Sequence, residues 1–323
     1  MIVNLIKKNL YPSLLFGGLT SGEVLERTFS PNEIISPHEA VSLGGVTCLL
    51  YDDVPLLTNK TLQFLYKKCK KEKVGFKLGR GFIRSDEYVG KEKFFPCAEL
   101  LPVTMKNYPV LAEKINRKII DQHQKNGVLF LSTAAHIDFD VKICAGAVIG
   151  RNVSIEGKSF IGENAYIGDN SRVVSSEIGE GCRVLSAFIC SSSVGAHTSV
   201  GPFAYLREGT KVGKNCRVGD FVEIKNSVLF DGVKAAHLCY IGDGEVGKCT
   251  NVGCGTVFCN YDGKTKQKVK VGENVFIGAN SNLVAPLTVG SHAFLAAGGT
   301  ITDDVPPHSF VIARTKQTTK KKK

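Results

Sequence analysis

Residues 137–173 read IDFDVKICAGAVIGRNVSIEGKSFIGENAYIGDNSRV. Ile137, Ile143, Ile149, Ile155, Ile161, Ile167 and Val173 follow one another at a spacing of six. The beat returns at Val194, Val200, Leu206, Val212, Val218 and Ile224, and again at Val271, Ile277, Leu283, Val289, Leu295 and Ile301. An α-helix needs spacings near 3.6 and an alternating strand spacings near 2, so a sustained six fits neither. A short strand followed by a tight turn does fit, with one aliphatic side chain per rung turned inward. The glycine that often follows that residue (Gly150, Gly162, Gly168, Gly213, Gly278) is expected to allow the corner. Three rungs make a triangular coil of about eighteen residues, and stacked coils make a parallel β-helix.

The rhythm also marks its own interruptions. It shortens to five at Val173–Ile178, Val184–Ile189–Val194 and Val228–Val233, and it breaks between Phe258 and Val271. The break holds CNYDGKTK, residues 259–266, a polar stretch rich in turn residues and lysine. A loop extruded from a regular solenoid is a candidate functional element, because regular coils alone offer no pocket. Residues 1–107 lack the rhythm and read as a short, degenerate α/β domain: a buried strand at VTCLLY, 46–51, and an amphipathic helix over 62–73. Residues 108–127 read as a linker helix, with Leu111, Ile115, Ile119 and Ile120 on one face and Gly127 at its end. The β-helix should occupy 128–314 and a basic tail 315–323.

Composition sets outer bounds. In 323 residues there are 34 glycines and no tryptophan, which suits a thin core of aliphatic layers. The 11 cysteines form no CxxC pair, so neither a disulfide framework nor a zinc site is favoured. Buried or turn thiols in a reducing compartment are expected instead, with Cys249, Cys254 and Cys259 not aligned on one face. No segment is long and apolar enough to span a membrane. The opening MIVNLIKKNLYPSLLFGGL carries Lys7 and Lys8 in its middle, unlike a secretion signal, so a cytoplasmic location is expected. Of the net charge of +11, five lysines lie in 315–323, leaving +6 without them. A short terminal lysine run reads as a solvated tail, and no nucleic-acid-binding motif stands behind it.

Arg207 follows inward Leu206 and Lys225 follows inward Ile224, so the two cations should stack about 4.8 Å apart on one outer face. Like charges that close repel unless an anion joins them, and a phosphate monoester would satisfy both. Two solvated surface cations are the plainer reading. Glu223 shares the outward parity of Lys225, and one coil later come His237 and Tyr240. A carboxylate beside an imidazole can fix its tautomer, which is how a general base is oriented. Asn251 and the pair Asn260-Tyr261 lie one to two coils further on and could hydrogen-bond a sugar and a second ligand.

The stretches GPFAYLREGTKVGKNCRVGDFVEIKNSVL, KAAHLCYIGDGEVG and NVGCGTVFCNYDGKTKQKVKVGENVFIGA resemble the acetyltransferase half of a bacterial enzyme family. Its members are bifunctional UDP-N-acetylglucosamine pyrophosphorylase/glucosamine-1-phosphate acetyltransferases. The similarity runs over about residues 108–316 and continues through LVAPLTVG, AAGGTITDDVP and IAR. The resemblance implies a left-handed solenoid, against the usual right-handed crossover, and a homotrimer with sites between subunits. It implies that Arg207, Lys225, Tyr240, Asn251 and Lys266 hold glucosamine 1-phosphate. His237 would take the amine proton, with Glu223 behind it. Cys254, Asn260, Tyr261, Ala297 and Arg314 match positions that hold acetyl-CoA, Cys254 through its backbone. Ala279 stands where the family often has serine, and Ala236 where it has glycine.

The first hundred residues depart from that family. Its glycine-rich LxAGxGTRM loop is absent, and LLFGGLT, 14–20, lacks the arginine and the spacing. TCLLYDDVPLLTNKTL nevertheless resembles the segment whose aspartate binds magnesium, here Asp53, and Asn107 falls where the second metal ligand lies. These are vestigial candidates in a domain expected to have lost nucleotidyl transfer, so magnesium should not be needed. Two alternatives remain: a hexapeptide acyltransferase for another amino sugar, and a non-catalytic β-helix scaffold.

Overall fold

The computed structural model describes residues 3–6, 34–35, 41–43, 46–51, 54, 56–79, 81–93, 95, 104 and 106–319. The chain divides into two compact units, Met1–Ile119 and Ile120–Lys323.

In the first unit the strand Val46–Tyr51 pairs parallel with Val3–Ile6 and antiparallel with Gly81–Ser85, which in turn pairs antiparallel with Gly75–Leu78. The helix Asn59–Glu72 starts where Thr58 Oγ1 accepts from the Thr61 N–H at 3.2 Å, an N-cap bond. It stops at Lys73, whose left-handed φ of 52° returns its N–H to the Cys69 carbonyl. Its buried stripe, Leu62, Leu65 and Cys69, packs with Val46, Cys48, Leu50, Phe76, Leu78 and Ile83. Burial pushes the Cys48 thiol up to about 12 and that of Cys69 up to about 11, so both stay protonated.

A second helix, Tyr108–Lys125, buries Leu111, Ile115, Ile119 and Ile120, the face expected from their spacing. From Leu129 to Val311 the chain forms three parallel sheets of 11, 10 and 9 strands, each strand pairing with its counterpart one coil on. The rungs are two to four residues long, with an inward residue such as Ile137, Ile155, Ile167, Leu206, Ile224 or Leu283 fully buried. One such residue per strand builds a continuous aliphatic column, each layer covered by the next.

The corner chemistry differs from the sequence expectation. At Gly150, Gly162, Gly168, Gly213, Gly272 and Gly278 the glycine after the inward residue is not the left-handed one. That conformation falls two residues later, on Asn152, Asn164, Asn170, Asn215, Asn274 and Asn280, with φ between 52° and 59°. Asparagine tolerates this region better than other side chains. The glycine is required because the next coil passes too close: a Cβ on Gly150 would lie 2.7 Å from the Asp169 nitrogen. Coil length also varies. Contacts between equivalent corners span 18 residues from Arg151 to Asp169, 16 from Ser176 to Ser192, and 25 from Thr250 to Val275, where the loop 259–267 is extruded.

Candidate active site

One corner carries a column of functional interest. The register Val218, Ala235, Val252, Ile277, Leu295 aligns successive strands of the eleven-stranded sheet. Two residues beyond each stand Asp220, His237, Cys254, Ala279 and Ala297. A backbone ladder holds them. Leu238 N–H donates to Asp220 O (3.1 Å), Gly255 N–H to His237 O (3.2 Å), Asn280 N–H to Cys254 O (2.7 Å) and Gly298 N–H to Ala279 O (2.8 Å). Below His237 every side chain in the column is small, so the corner is a smooth track. The Arg314 side chain ends it, its Cδ lying 3.7 Å from where a Cβ on Gly298 would sit.

At the head of this track His237 Nδ1 lies 2.7 Å from Asp220 Oδ1. The sequence reading set Glu223 behind His237. In the structure Glu223 belongs to the adjoining ten-stranded sheet, where its Oε1 accepts from Arg207 Nη1 at 2.8 Å. Asp220 was missed, although it stands 17 residues before His237, at the same place after an inward residue. That matching coil position was the available signal.

The outer face of the ten-stranded sheet places Tyr205, Glu223 and Tyr240 in one row. Arg207, Lys225 and Gly242 form the next, as Arg207 N–H donates to Ile224 O and Lys225 pairs with Gly242. A Cβ on Gly242 would meet Tyr240 Oη at 2.5 Å and Asn260 Nδ2 at 2.7 Å, so glycine is what lets the phenol lie across the strand. Lys266 comes back from the extruded loop to Lys225, and its ammonium, with Arg207 behind, holds the Lys225 pKa below the ordinary lysine range. Three cations therefore converge on one small surface, the electrostatic form of an anion site.

The loop is held at its base and shaped at its tip. Asp243, buried and left-handed at φ 51°, accepts from Asn226 Nδ2 at 2.6 Å and from Asn260 Nδ2. Asn260 O accepts from Gln267 N–H at 2.8 Å, and Tyr261 bridges Lys266 antiparallel. At the tip the Asp262 carboxylate accepts from Thr265 N–H and Lys264 N–H, which hold its pKa below the usual carboxylate range. Tyr261 is exposed and donates from its hydroxyl to Gly263 O. Asn226 and Asp243 were not singled out from sequence; no spacing rule distinguishes them from ordinary corner residues.

Asn251 lies apart from this set, on the eleven-stranded sheet opposite Lys234 and Phe276. Cys249 sits at a left-handed corner, Cys254 in the His237 column and Cys259 on a strand of the ten-stranded sheet, so the three do not align. Asp53 lies outside the described residues. Asn107 takes part in a turn at the start of the helix, its Oδ1 accepting from Thr104 N–H at 2.7 Å. Among the described residues no three His, Cys, Asp or Glu side chains are grouped to hold a metal ion, and no helix is long and apolar enough to cross a membrane.

The bacterial transferase hexapeptide (six repeats) family matches residues 191–226, and the hexapeptide repeat of succinyl-transferase matches residues 268–303. The bifunctional protein GlmU of Clostridioides difficile is 46% identical over 224 residues, 69% of this chain and 49% of that protein. GlmU of Acetivibrio thermocellus is 44% identical over 240 residues, 74% and 52% of the two chains. The chain thus spans about half the length of the curated relatives it matches. A solved UDP-N-acetylglucosamine acyltransferase from Francisella novicida is 22% identical, with a TM-score of 0.40 over 57% of this chain and 67% of that one, a likeness too low to bear on function. The repeats, the parallel coils and the identity to GlmU agree: the chain is a left-handed β-helix protein of the hexapeptide-repeat class and a homologue, over about 70% of its length, of the bifunctional GlmU proteins.

Proposed function

We propose that the chain is a glucosamine-1-phosphate N-acetyltransferase that uses acetyl-CoA. The observation that carries this reading is that the corner holding His237 leads directly into the strand Tyr240–Gly242, which pairs with the strand carrying Glu223 and Lys225. The His237 track runs along the eleven-stranded sheet, and Arg207, Lys225 and Lys266 converge on the outer face of the ten-stranded sheet that follows it in each coil. In this reading the three cations hold the sugar phosphate, Tyr240 and Asn251 hydrogen-bond the sugar, and Glu223 orients Arg207. Cys254, Ala279, Ala297 and Arg314 hold the cofactor along the track, and Asn260 and Tyr261 contribute to cofactor binding from the extruded loop. With Nδ1 facing Asp220, His237 Nε2 is the basic nitrogen.

The sugar amine attacks the thioester carbonyl carbon as Nε2 takes its proton. The tetrahedral oxyanion collapses, the carbon–sulfur bond breaks, and the imidazolium returns the proton to the leaving thiolate. An amine needs only a base and alignment to attack a thioester, so no covalent enzyme intermediate is required. The direct test is His237→Ala assayed for acetylation of glucosamine 1-phosphate. Loss of a general base should lower kcat by about 10²–10⁴-fold. A wild-type rate in that variant overturns the reading.

The same reading makes the protein a cytoplasmic homotrimer in which Asn251, remote from the other sugar ligands within one chain, serves a neighbour's site. A fully active monomer in sedimentation would refute this. We further propose that the first unit does not transfer nucleotides and that acetylation needs no magnesium, because LLFGGLT offers no phosphate cradle. Pyrophosphate release above background from UTP, N-acetylglucosamine 1-phosphate and magnesium would disprove it.

A further inference from the structure

We propose that Asp220 is the positioning residue that fixes the tautomer of His237, a proposal that rests on the acetyltransferase reading above. Asp220 and His237 are register partners on adjacent strands, and their side chains meet at 2.7 Å through Oδ1 and Nδ1. Both backbones are held by the residues that follow. Phe221 and Leu238 turn the corner at φ 55° and 48°, and Leu238 N–H closes onto Asp220 O. Bulky side chains seldom adopt this region, so both corners are held by the surrounding coils. The geometry of the pair is therefore set by the solenoid register and not by two mobile side chains.

A carboxylate at neutral pH has no proton to give. The short contact requires the imidazole proton to be on Nδ1, which leaves the Nε2 lone pair for the amine. Asparagine at the same place has both an acceptor and a donor, so it permits either tautomer. Glu223 is instead engaged by Arg207 on the neighbouring sheet, and Asp220 is the carboxylate that meets the imidazole.

The test compares Asp220→Asn, Asp220→Ala and His237→Ala in the full-length protein, with folding checked by circular dichroism and thermal melting. Asp220→Asn, being isosteric, guards against loss of fold. Both Asp220 variants should lower kcat by about 10–10²-fold, less than a buried triad aspartate because this pair is half exposed. KM for both substrates should stay within about twofold, since a positioning residue contributes little to ground-state binding. In ¹⁵N NMR of histidine-labelled protein, His237 should be the Nδ1–H tautomer in the wild type and a mixture in Asp220→Asn. If His237→Ala is impaired but the Asp220 variants turn over normally, or the wild-type imidazole is already mixed, the role of Asp220 is refuted and the acetyltransferase reading stands. If His237→Ala is itself unimpaired, both fall.

Discussion

Arg207 Nη1 lies 2.8 Å from Glu223 Oε1, across one strand spacing of the ten-stranded sheet. The carboxylate raises the guanidinium pKa and draws the cation across to the neighbouring row of Tyr205, Glu223 and Tyr240. The pair is solvent-exposed, so it adds little to stability and serves to aim the guanidinium. Arg207→Ala should therefore leave the melting temperature nearly unchanged while raising KM for the sugar phosphate about 10–100-fold, the worth of a charge-assisted hydrogen bond. Steady-state kinetics and thermal melting on one preparation check both halves.

Lys266 hydrogen-bonds to Lys225, which lowers the Lys225 pKa and raises that of Lys266, and the like charges add a repulsion. A bound phosphate should relieve it. Inorganic phosphate or glucosamine 1-phosphate should raise the melting temperature of the wild type, and the rise should shrink at high salt as screening takes over. The double variant Lys225→Ala, Lys266→Ala should show no such rise. An equal shift in both proteins would mean that the anion binds elsewhere.

The upper coils carry two titrating pairs of opposite sign. His136 Nε2 meets Asp138 Oδ1 at 3.1 Å, and this bond raises the imidazole pKa. Its contribution is full below the unfolded value of about 6.5 and disappears as pH rises through the folded one. Glu156 receives Arg172 Nε at 2.8 Å, and that bond lowers its pKa. Its contribution is full above about pH 4.5 and disappears as pH falls through the folded value. His136→Gln should thus cost stability near pH 5 but not near pH 8, by about 1 kcal/mol for a buried carboxylate paired with a half-exposed imidazole. Glu156→Gln should cost stability near pH 7 and converge on the wild type in acid. Urea titrations across pH read both.

Gly242→Ala tests the packing beneath Tyr240. The added methyl would displace the Tyr240 hydroxyl and the Asn260 amide, each within 2.7 Å of it. We expect a loss of about 1–3 kcal/mol from overpacking and a clear rise in KM for the sugar phosphate. Normal kinetics would show that neither side chain needs its place.

Much of the fold could be read from a single periodicity. A spacing of six admits one inward residue per rung, and Ile137, Ile149, Ile155, Ile161, Ile167 and Val173 are all fully buried. The interruption at 259–266 marked the loop for the same reason: a solenoid core cannot absorb extra residues, so they leave it. The cation row was legible too, because Arg207 and Lys225 each follow an inward residue one coil apart.

Strand parity did not reveal the partner of His237, although the matching coil position of Asp220 carried the signal. Glu223 and Asp220 both precede it by about one coil, and parity along a strand favours Glu223. The chain turns a corner between them at Phe221, φ 55°, which puts the two carboxylates on different sheets. The same holds for the corner asparagines and for Asn226, Asp243 and Asn260, which meet because coils of unequal length come into register. Periodicity along the chain reports which residues face inward, since burial acts on each rung separately. Which outward side chains touch depends on the hydrogen-bond register between coils, and that register is settled by the sum of every shortened, regular and extruded turn.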